Sequence, residues 1–120
     1  MSAHFPKTLL VDDDPTWLMY VQLLTHDRLI VCQNPAQAIG LIRENNVQLL
    51  ITDTNMPVVS GIDLLKKARA EFPYLPVIVL FSGLNGTSMT KEEVLKAGAT
   101  VVMTKEEFIT HLDMLIPKPD

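Results

Sequence analysis

Two apolar segments of this chain run directly into acidic side chains, and these acids are the residues best suited to chemistry. Residues 9–11 are followed by Asp12 and Asp13, and residues 47–51 lead to Asp53. Continuous apolar runs are typical of strands that are buried on both faces of a parallel sheet. If the two segments are neighbouring strands, about 4.8 Å apart, their carboxylates share one crevice at the carboxyl edge of the sheet, where open α/β sheets bind ligands.

Such a cluster of carboxylates needs a positive partner. Two like charges about 5 Å apart repel by about 3 kcal/mol at an effective dielectric constant of about 20. Several such pairs approach the whole stability of a small domain, which is on the order of 5–15 kcal/mol. A hard divalent cation prefers oxygen ligands. A divalent cation is therefore the natural candidate to neutralise the cluster of Asp12, Asp13 and Asp53.

Strand and helix signals alternate along the chain, which is typical of a parallel sheet with helices on both faces. The predicted strands are residues 8–11, 29–32, 47–51, 77–81 and 100–103. Helices are predicted after Asp14-Pro15, after Asn34-Pro35, over residues 61–70, and after the capping boxes that open at Thr90 and Thr104. We place Trp17, Val21 and Leu24 on the packed face of the first helix and expect the last helix to run to about Ile116. These 120 residues predict one α/β domain, a doubly wound five-stranded parallel sheet flanked by five helices, with its core over about residues 7–116.

Two further polar side chains follow predicted strands. Ser82 comes after the fourth strand and Lys105 after the fifth. With the acids they form a set suited to phosphoryl transfer onto a carboxylate. Asp53 can act as the nucleophile, Lys105 supplies a compact positive charge and Ser82 a hydrogen-bonding hydroxyl, and Mg²⁺ offsets the developing charge.

At this point the chain resembles a receiver domain of the two-component response regulators, over about Lys7 to Ile116. The resemblance rests on four motifs in order, which are Leu9-Leu10-Val11-Asp12-Asp13-Asp14, Asp53-Thr54-Asn55-Met56-Pro57 with Gly61 following, Phe81-Ser82-Gly83, and Lys105 after the fifth strand. It implies a flavodoxin-like sheet with strand order 2-1-3-4-5. It also implies a stand-alone signalling module.

The resemblance implies a role for each site residue. Asp53 is then the phosphoacceptor, and Asp12 and Asp13 hold Mg²⁺ together with Asp53. Asn55 gives its backbone carbonyl to the metal, Ser82 is the switch hydroxyl, and Lys105 pairs with the phosphoryl group. The implied partners are a histidine kinase or histidine phosphotransfer protein, which donates the phosphoryl group, and a downstream protein target.

Two positions depart from the family pattern. Val102 stands where relatives often carry an aromatic residue, and Glu106 stands where proline usually follows the lysine. They motivate an alternative, a degenerate receiver that binds a partner without phosphorylation. A second alternative is a phosphohydrolase of the haloacid dehalogenase type, because Asp12 to Thr16 fits D-x-D-x-T; such enzymes, however, need a later acidic pair and usually a cap.

Composition limits the remaining possibilities. A formal net charge of −4 argues against nucleic acid as a partner, which would require a basic patch. No apolar run approaches the roughly 18–20 residues of a membrane span, and the N-terminus lacks a signal-peptide pattern. We therefore expect a cytoplasmic protein without a membrane partner. The single cysteine, Cys32, is interpreted as a buried strand thiol.

Overall fold

The described part of the chain forms a five-stranded parallel sheet. The structure is a computed structural model and describes residues 6–54, 61–81 and 90–117. Its strands are β1 (Thr8–Val11), β2 (Ile30–Cys32), β3 (Leu49–Asp53), β4 (Val77–Phe81) and β5 (Val101–Thr104). Their spatial order is β2-β1-β3-β4-β5, and every neighbouring pair is parallel. The predicted fold class and strand order are confirmed.

Helices connect the strands on both sides of the sheet. They are α1 (Pro15–Leu24), α2 (Ala38–Asn45), α3 (Gly61–Glu71), α4 (Lys91–Lys96), α5 (Lys105–Thr110) and α6 (Leu112–Leu115), and a 3₁₀ turn (Pro35–Gln37) precedes α2. The described residues thus form six helices, where the sequence predicted five. The predicted last helix is divided at His111. The backbone N–H of His111 donates to the Glu107 carbonyl at 3.0 Å, and its ring Nδ1 lies 2.8 Å from the same oxygen. The backbone of His111 has φ −102° and ψ 14°, outside the helical region, so the helix is interrupted at this residue.

Two apolar layers cover the two faces of the sheet. Successive strand residues point to opposite faces, so Leu9 and Val11 pack with α2, α3 and α4, whereas Leu10 packs with α1, α5 and α6. All three of these side chains are fully buried. This burial on both faces explains why β1 is a continuous apolar run, and it fixes the strand ends that carry the polar residues.

Strand β3 begins two residues later than predicted. The backbone N–H of Val47 bonds to the carbonyl of Ile42 at the end of α2, after Asn46 in the left-handed region at φ 52°. The Val47 N–H therefore takes part in the C-terminal capping of α2, and the strand starts only at Leu49. The strand instead includes Asp53, which pairs in register with Leu80 of β4.

Arg69 joins the end of α3 to the loops before β4 and β5. Its guanidinium donates to the carbonyl of Gly98 at 2.7 Å and to those of Leu75 and Pro73 at 2.7 and 2.9 Å. Gly98 has φ 124°, a conformation that favours glycine. None of the helices in the described ranges is long and apolar enough to cross a membrane.

Candidate phosphoryl-transfer site

The register of the sheet brings the predicted acids to one edge. Val11 of β1 pairs with Thr52 of β3, so the next residues, Asp12 and Asp53, continue from adjacent parallel strands. On the other side of β4, Phe81 pairs with Thr104 of β5. The first residue of α5 is Lys105, so its side chain starts from the same carboxyl edge.

Asp12 is the most deeply buried acid of the site. It is 1% exposed, and its Oδ1 accepts a hydrogen bond from the Asp14 backbone N–H at 3.0 Å. Its Oδ2 lies 3.0 Å from Lys105 Nζ, which forms an ion pair. Burial nevertheless raises the pKa of Asp12 above its ordinary value, against the opposing effects of the Asp14 N–H and the Lys105 charge.

Asp53 lies at the end of β3 and is only 4% exposed. Its Oδ1 accepts a hydrogen bond from the Thr54 backbone N–H at 2.9 Å. Burial raises the pKa of Asp53 to about 6, and repulsion by Asp12 adds to this effect, whereas Lys105 opposes it. The carboxylate is therefore costly to ionise but is largely ionised at neutral pH.

Three carboxylates meet with one ammonium group in this crevice. Oxygens of Asp12, Asp53 and the exposed Asp13 all lie within 4.8 Å of one another. Two full charges at that separation repel by about 3 kcal/mol at an effective dielectric constant of about 20. When all three acids are ionised, Lys105 balances one charge and leaves a surplus of two negative charges. A hard oxygen donor set with this surplus fits a divalent cation such as Mg²⁺.

The start of α3 packs directly on the end of β3. The Gly61 N–H donates to the Thr54 carbonyl at 3.1 Å, and the Thr54 N–H also reaches the Leu80 carbonyl at 3.1 Å. A Cβ atom on Gly61 would collide with the backbone carbonyl of Asp53. Glycine at this position therefore allows the helix to approach the strand end and fixes the backbone from which the Asp53 carboxylate projects.

Lys105 is held at the edge of the crevice by two elements. A capping box between Thr104 and Glu107 opens α5 and sets the direction of its first residue. The Lys105 side chain is 23% exposed, and its Nζ lies 4.9 Å from the centre of the Trp17 ring on α1. Sequence reasoning missed this contact, because it assigned Trp17 only to the packed face of α1. The available signal was the position of Trp17 in the first turn of α1, the helix that directly follows the acids.

The remaining predicted residues divide into two groups. Asn55 and Ser82 lie outside the described residues, so their predicted roles stay predictions. Asp14 is the N-cap of α1, and its side chain accepts from the Thr16 N–H at 2.9 Å. This capping bond engages the second acid of the D-x-D-x-T pattern, which weakens the phosphohydrolase alternative. Cys32 is buried, as predicted.

Comparisons with known proteins agree with this fold. A CheY homolog from Campylobacter jejuni, named as a chemotaxis protein, is 33% identical over 104 residues, which cover 82% of this chain and 80% of that protein. The receiver domain of the Francisella response regulator 1452 is 32% identical with a TM-score of 0.75, covering 92% of this chain and 95% of that one. Vibrio cholerae CheY4 shares the fold, with a TM-score of 0.78 at 22% identity, over 94% of this chain and 100% of that one.

The family assignment rests on nearly the whole chain. Residues 8–116 match the family described as the response regulator receiver domain. The matched range contains all five strands and the crevice acids Asp12, Asp13 and Asp53. This chain belongs to the response regulator receiver domain family of two-component signalling proteins.

Proposed function

We propose that this chain is a phosphoacceptor signalling module that takes a phosphoryl group from a phosphohistidine onto Asp53. The observation that carries the proposal is the meeting of three carboxylates within 4.8 Å of one another at the sheet edge, with Lys105 paired to Asp12. A structural role alone does not account for this arrangement, because clustered acids repel one another and destabilise the fold unless a bound cation offsets the surplus negative charge.

The proposed reaction forms one bond and breaks one. A carboxylate oxygen of Asp53 bonds to phosphorus while the phosphorus–nitrogen bond of the donor breaks, and the imidazole nitrogen keeps the bonding pair and takes up a proton. Asp53 must be ionised to attack, and its pKa of about 6 leaves it ionised at neutral pH. The Thr54 N–H holds one carboxylate oxygen in place. Lys105 supplies the positive charge that pairs with the transferred group.

The same crevice is the proposed Mg²⁺ site. Asp12, Asp13 and Asp53 would hold the ion, with the backbone carbonyl of Asn55 as a further ligand by resemblance. When bound, the ion supplies positive charge opposite the phosphoryl oxygens. The protein's own contribution is to keep the three acids together, and the register of β1 against β3 does this.

We further propose the partners implied by the family. The donor is a histidine kinase or a histidine phosphotransfer protein, and a downstream protein target recognises the phosphorylated surface, all in the cytoplasm. We propose that these residues act as a receiver that signals through surface contacts and is not itself an enzyme.

The test is intact-protein mass measurement after incubation with Mg²⁺ and a small phosphodonor. We expect one added phosphoryl group on the wild-type chain and none on Asp53→Asn. The matched control is Asp113→Asn, which removes an exposed acid on α6, outside the crevice, and should leave labelling unchanged. Labelling of Asp53→Asn at the wild-type level would refute the phosphoacceptor assignment. A wild-type chain that takes up no phosphoryl group would favour the degenerate receiver, and sustained turnover of the donor would favour a hydrolase.

A further inference from the structure

The indole of Trp17 lies against the ammonium group of Lys105. The Lys105 Nζ is 4.9 Å from the ring centre, inside the range of about 6 Å in which a cation is attracted to an aromatic face. The same ammonium group is 3.0 Å from Asp12 Oδ2. Lys105 therefore lies between a carboxylate of the crevice and an aromatic ring on α1.

The ring itself is held firmly by its neighbours. Trp17 is partly buried, and its ring centre is 6.3 Å from that of Phe108 on α5 and 6.1 Å from that of Tyr20. Its Nε1 is buried without a hydrogen-bond partner among residues 6–54, 61–81 and 90–117. Among the described residues, packing against Phe108 and Tyr20 positions the indole, and its ring contacts the Lys105 ammonium group.

Lys105 needs such a support because its side chain is long and flexible. A lysine ammonium group on a four-carbon stem loses considerable rotamer freedom when it is fixed. Its ionic partner, Asp12, also belongs to the acid cluster that would hold a metal ion. The Trp17 ring is a partner that stays neutral whatever the state of the acids.

We propose that Trp17 is a positioning residue, which holds the Lys105 ammonium group at the crevice through a cation–π contact. For the reaction itself this inference rests on the proposed phosphoacceptor function. The ring does not touch the reacting atoms, and it acts on phosphoryl transfer through Lys105. The contact is present in the unphosphorylated protein, so it can be tested separately from the reaction.

The first test measures the contact in the unphosphorylated protein. Ring currents should shift the Lys105 ε-methylene proton resonances upfield in the wild-type chain, less in Trp17→Phe, and not in Trp17→Leu. Trp17→Phe keeps an aromatic face and removes an indole N–H that makes no hydrogen bond within the described ranges, so it should fold normally. A Lys105 resonance that is identical in the wild type and Trp17→Leu would overturn the proposal.

The second test is a double-mutant cycle on the folding equilibrium. Trp17→Leu, Lys105→Met and the double variant are compared by urea unfolding with magnesium removed. Cation–π contacts of this kind are worth about three- to tenfold in an equilibrium constant, so the two substitutions should be non-additive by at least about threefold. Additive effects would mean that Trp17 only packs against its neighbours, and they would refute the contact.

The third test concerns the reaction. We expect labelling by a small phosphodonor to be about three- to tenfold slower in Trp17→Leu than in the wild type, with Trp17→Phe in between. Tyr74→Leu is the control, because it removes a 95% exposed aromatic side chain elsewhere. Wild-type rates in Trp17→Leu would refute the positioning role and leave the phosphoacceptor function standing. An unlabelled wild-type chain would refute that function and the positioning role, while the first two tests would still decide whether the contact exists.

Discussion

Replacing Asp53 by asparagine should stabilise the metal-free protein at neutral pH. Asparagine keeps the side-chain oxygen that accepts from the Thr54 N–H and removes only the charge. In the folded protein burial raises the pKa of Asp53 from 3.8 to about 6. The carboxyl group is 4% exposed, so solvent screens its charge weakly.

The magnitude follows from the two pKa values, which differ by about 2. Each pKa unit corresponds to about 1.4 kcal/mol, so ionised Asp53 lowers the free energy of unfolding by about 3 kcal/mol. The sign follows because the folded state binds the proton more tightly than the unfolded state. The stabilising effect of the protonated group is complete below about pH 4 and is lost as pH rises to about 6.

Urea unfolding in the presence of a chelator, at pH values from 4 to 7, measures this effect. We expect the free energy of unfolding of Asp53→Asn to exceed that of the wild type by about 3 kcal/mol at pH 7, which is on the order of 10 °C in melting temperature. The plots of unfolding free energy against pH for the two proteins should converge near pH 4. Asp113→Asn, which changes an exposed acid on α6, serves as the control and should follow the wild-type curve. An Asp53→Asn variant that is less stable than the wild type at pH 7, or that keeps the wild-type slope between pH 4 and 6, would refute the reasoning.

Three further predictions follow from the packing of the site and its frame. Asp13→Asn should raise the metal-free melting temperature and reduce the increase that Mg²⁺ produces in the wild type, which thermal melts with and without Mg²⁺ would measure. Gly61→Ala should lower the free energy of unfolding by about 3 kcal/mol, because its Cβ would collide with the Asp53 carbonyl; a variant as stable as the wild type in urea would contradict this packing. Arg69→Met should lower the free energy of unfolding by about 3 kcal/mol, because the Arg69 guanidinium donates to several backbone carbonyls. Arg43→Met, which removes an exposed ion pair with Glu71, should lower it by about 1 kcal/mol or less in the same assay.

The positions of the crevice acids could be predicted from the sequence because burial on both faces leaves a clear pattern. The apolar runs ending at Val11 and Ile51 mark strands directly, and parallel strands place the following residues at one edge. The capping boxes at Thr90 and Thr104 were equally informative, and both are present in the structure. These signals are local, so they need no knowledge of how the helices pack.

The features that were predicted incorrectly depend on contacts between elements or on the backbone conformation of a single residue. The predicted face of α1 included Leu24, which is 36% exposed, whereas Leu18 is buried at 4%. Helical spacing fits either choice, and the angle at which α1 lies on the sheet decides between them. The division after α5 falls at His111, whose φ of −102° and ψ of 14° lie outside the helical region.

Val102 shows how the same packing constrains signalling. Its side chain is 4% exposed and belongs to the apolar layer that contains Val79 and Val94. A small β-branched side chain is stiff at χ1, so Val102 cannot turn between buried and exposed positions as an aromatic ring can. The exposed neighbours Leu95 and Val101, 39% and 40% accessible, mark the outer surface of α4 and β5. We therefore expect a change at that surface to come from movement of the backbone of β5 or α4, on which these two residues lie, and not from a side-chain flip at Val102.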